Sequence, residues 1–208
     1  MDSDLAWESY QSQILGLAAL DYNYDEKIYL NSEDHKDWFI DKYEATLAHE
    51  APGPPGKAFA AAKNALLLYR FTDRRLISVV FDPSIPLPGR NMLMFAKFLG
   101  FTFRFGVRVT KVIDESRNSP SGQAETVWGY SYRTLKGHFE IGEIQFELLK
   151  HLTSGEVHFR ISAYSKPDVI PNFFYRVGFK IFGRVLQKYF AHSSIKRLRE
   201  IARASKAS

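Results

Sequence analysis

The stretch FTFRFGVRVTKV, residues 101–112, alternates more cleanly than any other part of this chain. Phe101, Phe103, Phe105, Val107 and Val109 share one side of an extended strand, and Thr102, Arg104, Arg108 and Thr110 share the other. A strand with one apolar face belongs to a sheet that must cover that face. The segment RNSPSGQ, residues 117–123, reads as a turn, so a hairpin partner is expected at 124–134 with Thr126, Trp128, Tyr130 and Tyr132 on one face. A second pair is expected at 143–150 and 156–164, joined around Ser154 and Gly155. There Ile144, Phe146 and Leu148 share a face, as do Val157, Phe159 and Ile161. Before this block, LISVVF at 76–81 reads as a short buried strand that runs into the proline-rich loop DPSIPLPG.

On both flanks the apolar period lengthens. In GKAFAAAKNALLLYRF, residues 56–71, Phe59, Ala62, Ala65, Leu66 and Tyr69 recur at helical spacing, which predicts an amphipathic helix. From about Pro171 to Ala204 a long helix is expected, with Phe174, Val177, Ile181, Val185 and Phe190 along one stripe, widened by Leu186 and Tyr189. Gly178 and Gly183 suggest close backbone packing there, and Arg176, Lys180, Arg184 and Lys188 flank the stripe. These two helices are the large apolar objects available to cover the sheet. The economical arrangement is an α+β fold of helix-grip shape: a curved antiparallel sheet wrapped around the long C-terminal helix, with the first helix closing one end.

Residues 1–50 carry weak helical patterns near 4–20 and 33–49 and too few periodic apolar positions for a core of their own. APGPPG at 51–56 then breaks the chain. The expected organisation is an N-terminal extension, 1–50, packed on a single main domain, 57–205.

Composition narrows the function classes. With 45% hydrophobic residues, 17 Phe and 11 Tyr among 208 positions, the chain can fill a large core or line an apolar cavity. There is no cysteine, which excludes disulfide frameworks, thiol catalysis and Cys-ligated metals. Asp2, Asp4 and Glu8 stand where a secretory signal needs positive charge, and no uncharged apolar run reaches the ~18 residues of a membrane span, so a cytoplasmic protein is expected. The net charge of +5 is ordinary. The basic face of Arg104, Arg108 and Lys111 lacks interleaved exposed aromatics, so nucleic acid is not an expected partner. The basic, amphipathic C-terminal helix could make weak contact with a membrane surface, or its stripe could simply be core-facing. The oligomeric state is not legible.

Chemistry concentrates in YSYRTLKGHFEIGEIQF, residues 130–146. Strand parity puts His138 and Glu140 on the same side as the core-facing Ile144 and Phe146. Glu143 falls on the opposite side unless Gly142 forms a bulge. A His and a Glu directed inward among Tyr rings could move protons, and burial would raise the carboxyl pKa. The alternative is a solvated hairpin whose glycines mark its turn. No second histidine at i+4 accompanies His138, so no metal is expected, and no P-loop, dinucleotide fingerprint or nucleophile elbow implies a cofactor.

This run, followed by VHFRISAYSKP (157–167) and GRVLQKYF (183–190), resembles the bacterial and plant proteins grouped as domain of unknown function nineteen-ninety. The resemblance rests on Thr134, Leu135, Gly137, His138, Glu140, Gly142, Glu143, Phe146, Ala163, Ser165, Pro167 and Gln187, with DYNYDE at 21–26 similar to that family's start. The chain departs from the family pattern at Lys166, where an Arg is usual, and at Ser131-Tyr132-Arg133 ahead of Thr-Leu. It is also distantly similar to START-related lipid-binding proteins and polyketide cyclases. The resemblance implies a helix-grip fold around a small apolar or aromatic ligand. On this reading a cyclase- or isomerase-like enzyme is expected, with His138, Glu140 or Glu143 moving protons and Tyr130 or Tyr132 donating to a developing oxyanion. Arg133, Thr134, Ser165 and Gln187 would bind ligand. A lipid-type binding or transfer protein without chemistry is the alternative, and a peripheral membrane scaffold is a third reading.

Overall fold

The computed structural model describes residues 7–30, 38–98, 100–168 and 173–205, with the side chains at 28, 30, 98, 101 and 173–184 outside the described set. Seven strands form one antiparallel sheet: β1 (Phe39–His49), β2 (Ile77–Val80), β3 (Asn91–Phe98), β4 (Phe101–Asn118), β5 (Ala124–Thr134), β6 (Glu140–His151) and β7 (Glu156–Pro167). Their order is β1-β7-β6-β5-β4-β3-β2, so β2 to β7 are a meander and β1 returns to the open edge beside β7. The helices are α1 (Gln11–Leu17), α2 (Glu26–Leu30), α3 (Lys57–Leu67) and α4 (Phe173–Ala204).

The sheet buries one face against α3 and α4, as the alternation requires. Trp128, Tyr130 and Tyr132 of β5, Phe146 and Leu148 of β6, and Val157, Phe159 and Ile161 of β7 meet Phe59, Ala62 and Leu66 of α3. Phe190, Ile195 and Leu198 of α4 close the same cluster. Phe71, fully buried, touches the rings of Tyr69, Phe146, Phe159 and Phe190 at edge or tilted angles, the geometry aromatic quadrupoles favour. This is the α+β helix-grip shape.

A register irregularity in β4 between Val109 and Lys111 shifts the strand's parity, so that Val112 still packs on the grip core. Before it, Phe105, Val107 and Val109 point into the grip; after it, Ile113 packs outside with Val127 and Leu149. On the outer face α1 covers β3: Ile14 and Leu17 pack on Val80, Leu93 and Phe95. Gly106 lies under Leu17, whose terminal carbons occupy the space a Cβ would need. Among the described residues no helix is long and apolar enough to cross a membrane.

Two local expectations change, and one strand is added. The weak helical pattern at 33–49 gives way to β1, because Phe39–His49 finds the unpaired edge of β7 and tertiary pairing overrides a faint local preference. The chain after the proline-rich loop forms β3, a strand without a clean apolar alternation because it is covered on both faces, Met92 and Met94 inside and Leu93 and Phe95 under α1. In the described part of α4 the buried apolar positions are Phe190, Ala191, Ile195, Leu198 and Ala202, while Val185 is 62% exposed and so is not part of a core stripe. Phe174, Val177 and Ile181, the rest of the expected stripe, lie outside the described side chains.

Candidate functional site

The turn between β5 and β6 brings the sequence constellation together. Gly137 holds a left-handed backbone (φ 92°) that lets the chain reverse after Thr134. Neither the β5–β6 nor the β6–β7 ladder shows a register shift near Gly142. Gly142 is therefore not a bulge; it lets β7 approach, since a Cβ there would collide with the carbonyl oxygen of Tyr164. Strand parity then runs unbroken, and the candidate residues divide between the two faces of the sheet.

On the concave face, Glu140 Oε1 accepts a hydrogen bond from Gln187 Nε2 of α4 at 2.7 Å, and the same amide lies 3.5 Å from Ser165 Oγ. The Tyr132 and Tyr69 hydroxyls share a hydrogen bond at 2.9 Å, and Tyr130 donates to the carbonyl of Leu66 at 3.1 Å. Burial raises all three phenols above their ordinary value, so they stay protonated and each keeps an O–H to donate. The carboxylate of Glu140 adds to the upward shift of Tyr132.

His138 sits in this neighbourhood, at the entry to β6. Its Nδ1 accepts the backbone N–H of Glu140 at 2.9 Å, and its ring lies 4.3 Å from Phe105 and 4.6 Å from Phe139. Burial pushes the imidazole down to about 3. A neutral ring that accepts the backbone N–H holds the entry to β6 in place.

On the outer face, Arg133 donates from Nε to Glu143 Oε2 at 2.8 Å and pairs with Glu26 of α2. The Tyr22 ring lies between Arg133 (5.3 Å) and Arg108 (5.5 Å). Tyr22, Glu26, Arg108 and Arg133 line an open cleft of about 470 Å³ with Asp21, Tyr24 and Asp25. Beside it, Tyr24 donates to Tyr164 at 3.0 Å, and Tyr164 stacks on Tyr29 at 3.7 Å. Burial pushes Tyr164 up to about 12. Glu143 thus shares no site with His138 and Glu140, and Arg133 is an ion-pair partner on the far face from Gln187.

Thr134 bridges the two regions: its hydroxyl donates to Asn23 Oδ1 at 2.6 Å and accepts the Gly142 N–H at 3.2 Å. Asn23 also donates to the Glu140 carbonyl at 2.8 Å. Sequence reasoning did not single out Asn23 or Tyr69. Asn23 stands inside the DYNYDE segment, the one signal that pointed to it; Tyr69 reads only as another apolar position of a helix. Among the described residues no group of His, Asp or Glu converges to hold a metal ion.

The family described as Domain of unknown function (DUF1990) matches residues 23–197. The chain belongs to that family. The DUF1990 match spans most of the DYNYDE segment, the whole sheet and α4 as far as Arg197. No curated protein matches the chain. Solved structures similar to it include that of Ara h 8.0201, at 14% identity over 80% of this chain and 99% of that one, TM-score 0.43. A protein from Thermus thermophilus is similar at 13% identity over 79% of this chain and 97% of its own, TM-score 0.45. A protein of unknown function from Staphylococcus aureus is similar at 11% identity over 82% of this chain and 97% of its own, TM-score 0.42.

Proposed function

We propose that this DUF1990 protein binds a small apolar or aromatic molecule between the concave face of its sheet and α4. The ligand's polar end is held by Glu140, Gln187, Ser165 and the Tyr132–Tyr69 hydroxyl pair. The observation that carries this reading is the Gln187–Glu140 hydrogen bond, with Ser165 beside it. It sets a half-buried polar cluster between helix and sheet at the end of an apolar interior rich in Tyr and Phe. Sites for small molecules have this composition, apolar walls with a few placed polar groups.

A catalytic version of the reading, a cyclase or isomerase acting on a flexible precursor, is favoured by the protonated Tyr132 lying close enough to Glu140 for the carboxylate to raise its pKa. Glu140 would then move the proton and Tyr132 would donate to the developing oxyanion. His138 would keep the Glu140 backbone in place. Binding or transfer without chemistry uses the same cluster with no proton step.

The test is titration with the uncharged fluorophore N-phenyl-1-naphthylamine. Saturable binding is expected in the wild type. Ser165→Phe, which fills the concave side, should weaken it more than about tenfold, the scale on which pocket contacts discriminate. Ser162→Phe, on the outer face of the same strand, should leave it unchanged, with circular dichroism confirming both folds. Absence of saturable binding, or equal binding by Ser165→Phe, would overturn the proposal.

A further inference from the structure

Where α4 runs beside the edge strand β1, the two elements leave a second cleft of about 440 Å³. Its walls are Lys42, Tyr43 and Glu44 of β1 and His192, Lys196 and Arg199 of α4. We propose that this cleft binds a phosphate group, the chemistry shared by a phospholipid headgroup and a free phosphate.

Charge is the first argument. Lys42, Lys196 and Arg199 bring three permanent cations to one cleft, and Glu44 is the single carboxylate in its lining. That carboxylate is already committed: Arg160 Nε donates to Glu44 Oε2 at 2.9 Å, and His158 lies 3.6 Å from the other oxygen. Among the described residues no carboxylate stands within ion-pair distance of the three lining cations. Several other cations of the surface do have carboxylate partners: Arg75 pairs with Asp73, Arg117 with Glu115, Glu125 and Glu147, and Lys136 with Asp21. The nearby acid Asp41 does not line the cleft and accepts the Tyr43 hydroxyl at 3.2 Å.

Geometry is the second argument. Arg199 donates from Nε to the backbone carbonyl of Thr46 at 3.1 Å, beside the register irregularity between Thr46 and Ala48 that interrupts the β1 edge. That bond anchors the guanidinium and leaves its terminal amino groups without another partner among the described residues. An anchored guanidinium presents its remaining N–H groups as a fixed fork, which suits the oxygens of a phosphate. Lys42 and Lys196 are point charges on opposite walls, able to close on the same anion. The Tyr43 and His192 rings meet edge to face at 5.7 Å and hold the walls apart, and Ile195 is buried beneath. A single carboxylate would engage the fork alone; a phosphate has oxygens for all three cations.

The test uses two probes at constant ionic strength with the full chain. Inorganic phosphate is titrated while backbone amide shifts are followed, and co-sedimentation is measured with phosphatidylcholine vesicles with and without phosphatidic acid. Saturable shifts confined to the Lys42–Ala45 and His192–Arg199 segments are expected. Lys196→Gln and Arg199→Gln should each weaken binding about tenfold or more, the size of one charge-assisted hydrogen-bonded contact. Lys196 is exposed, so its substitution leaves the fold intact and keeps the test valid if Arg199→Gln destabilises the helix. Phosphate binding without vesicle binding assigns a free phosphate; vesicle binding that needs phosphatidic acid and is lost in both variants assigns a lipid headgroup. No binding of either probe, or binding that survives both substitutions, overturns the proposal.

Discussion

With Nδ1 accepting the Glu140 N–H, the His138 proton resides on Nε2 and the ring stays neutral inside the protein. The ordinary value of the group is 6.5 and its folded value is about 3. The unfolded chain therefore takes up a proton as pH falls through 6.5, and the folded state takes it up only near pH 3. The stabilisation linked to His138 is complete above pH 6.5 and is lost as pH falls toward 3, by up to about 1.4 kcal/mol per pH unit. Urea denaturation of wild type and His138→Gln at about pH 7 and about pH 5, either side of the ordinary imidazole value, reads this directly: the gap between them should narrow on acidification. A constant gap would mean that the imidazole is not held neutral by burial. Glu143 belongs to a different balance. Replacing it by Gln removes one of the two carboxylate partners of Arg133, whose side chain is 16% exposed, leaves Glu26 in place, and should cost about 1 kcal/mol in the same assay. Fluorophore affinity should not change, because Glu143 faces away from Glu140. Reduced affinity in Glu143→Gln would argue that the two faces communicate.

At the scale of elements, α3 begins where a carboxylate organises it. Glu50 accepts the N–H groups of Gly56, Ala58 and Phe59 at the helix N-terminus and pairs with Lys150 of β6, which is 0% exposed, at 3.0 Å. Lys150 also donates to the carbonyls of Ala51 and Gly155. Burial by itself would raise the Glu50 carboxyl; the backbone donors and the ammonium outweigh it and hold the group below its ordinary value. Its stabilisation is therefore present above pH 4.5, the ordinary value, and is lost as pH falls below it. Glu50→Ala should cost about 3–5 kcal/mol, since it strands a buried cation and uncaps a helix. Thermal melting measures that loss, and a drop under about 1 kcal/mol would show that Lys150 has found another partner. The strands have their own weak point at Gly129, where a Cβ would collide with the carbonyl oxygen of Phe146 on β6. Gly129→Ala should cost at least about 1–3 kcal/mol by forcing the two strands apart. Helix α3 and strands β4 to β7 were legible in the sequence because burial on one face imposes a period that the order of residues displays. Strands β1 and β3 were not. β1 exists as a strand because β7 offers it an edge, and β3 is covered on both faces, so neither writes a clean alternation.

Across the whole molecule, ligand binding to the grip should appear as stability. A ligand that binds only the folded chain adds about 2.7 kcal/mol at roughly a hundredfold excess over its Kd, and the melting temperature should climb with fluorophore concentration accordingly. Ser165→Phe should shift that climb to more than about tenfold higher fluorophore concentration while still melting cooperatively. The face on which each candidate residue stands was partly readable. Parity alone put His138 and Glu140 inside and Glu143 outside, given that Gly142 makes no bulge, and the ladders on both sides of β6 show none. What local sequence could not supply was the set of partners. Gln187 reaches Glu140 across 47 positions, Asn23 reaches Thr134 across 111, and Lys150 reaches Glu50 across 100. Arg199 and Lys42 belong to one cleft because α4 lies beside β1, a pairing that no spacing encodes. The sequence by itself determined the helix-grip class and the faces of β5 to β7, since those follow from apolar periods of about two and 3.6 that any core must satisfy. Only the tertiary structure decided which polar groups meet and whether His138 can hold a proton. Burial and long-range contact set those properties, and both exist only once the chain has closed on itself.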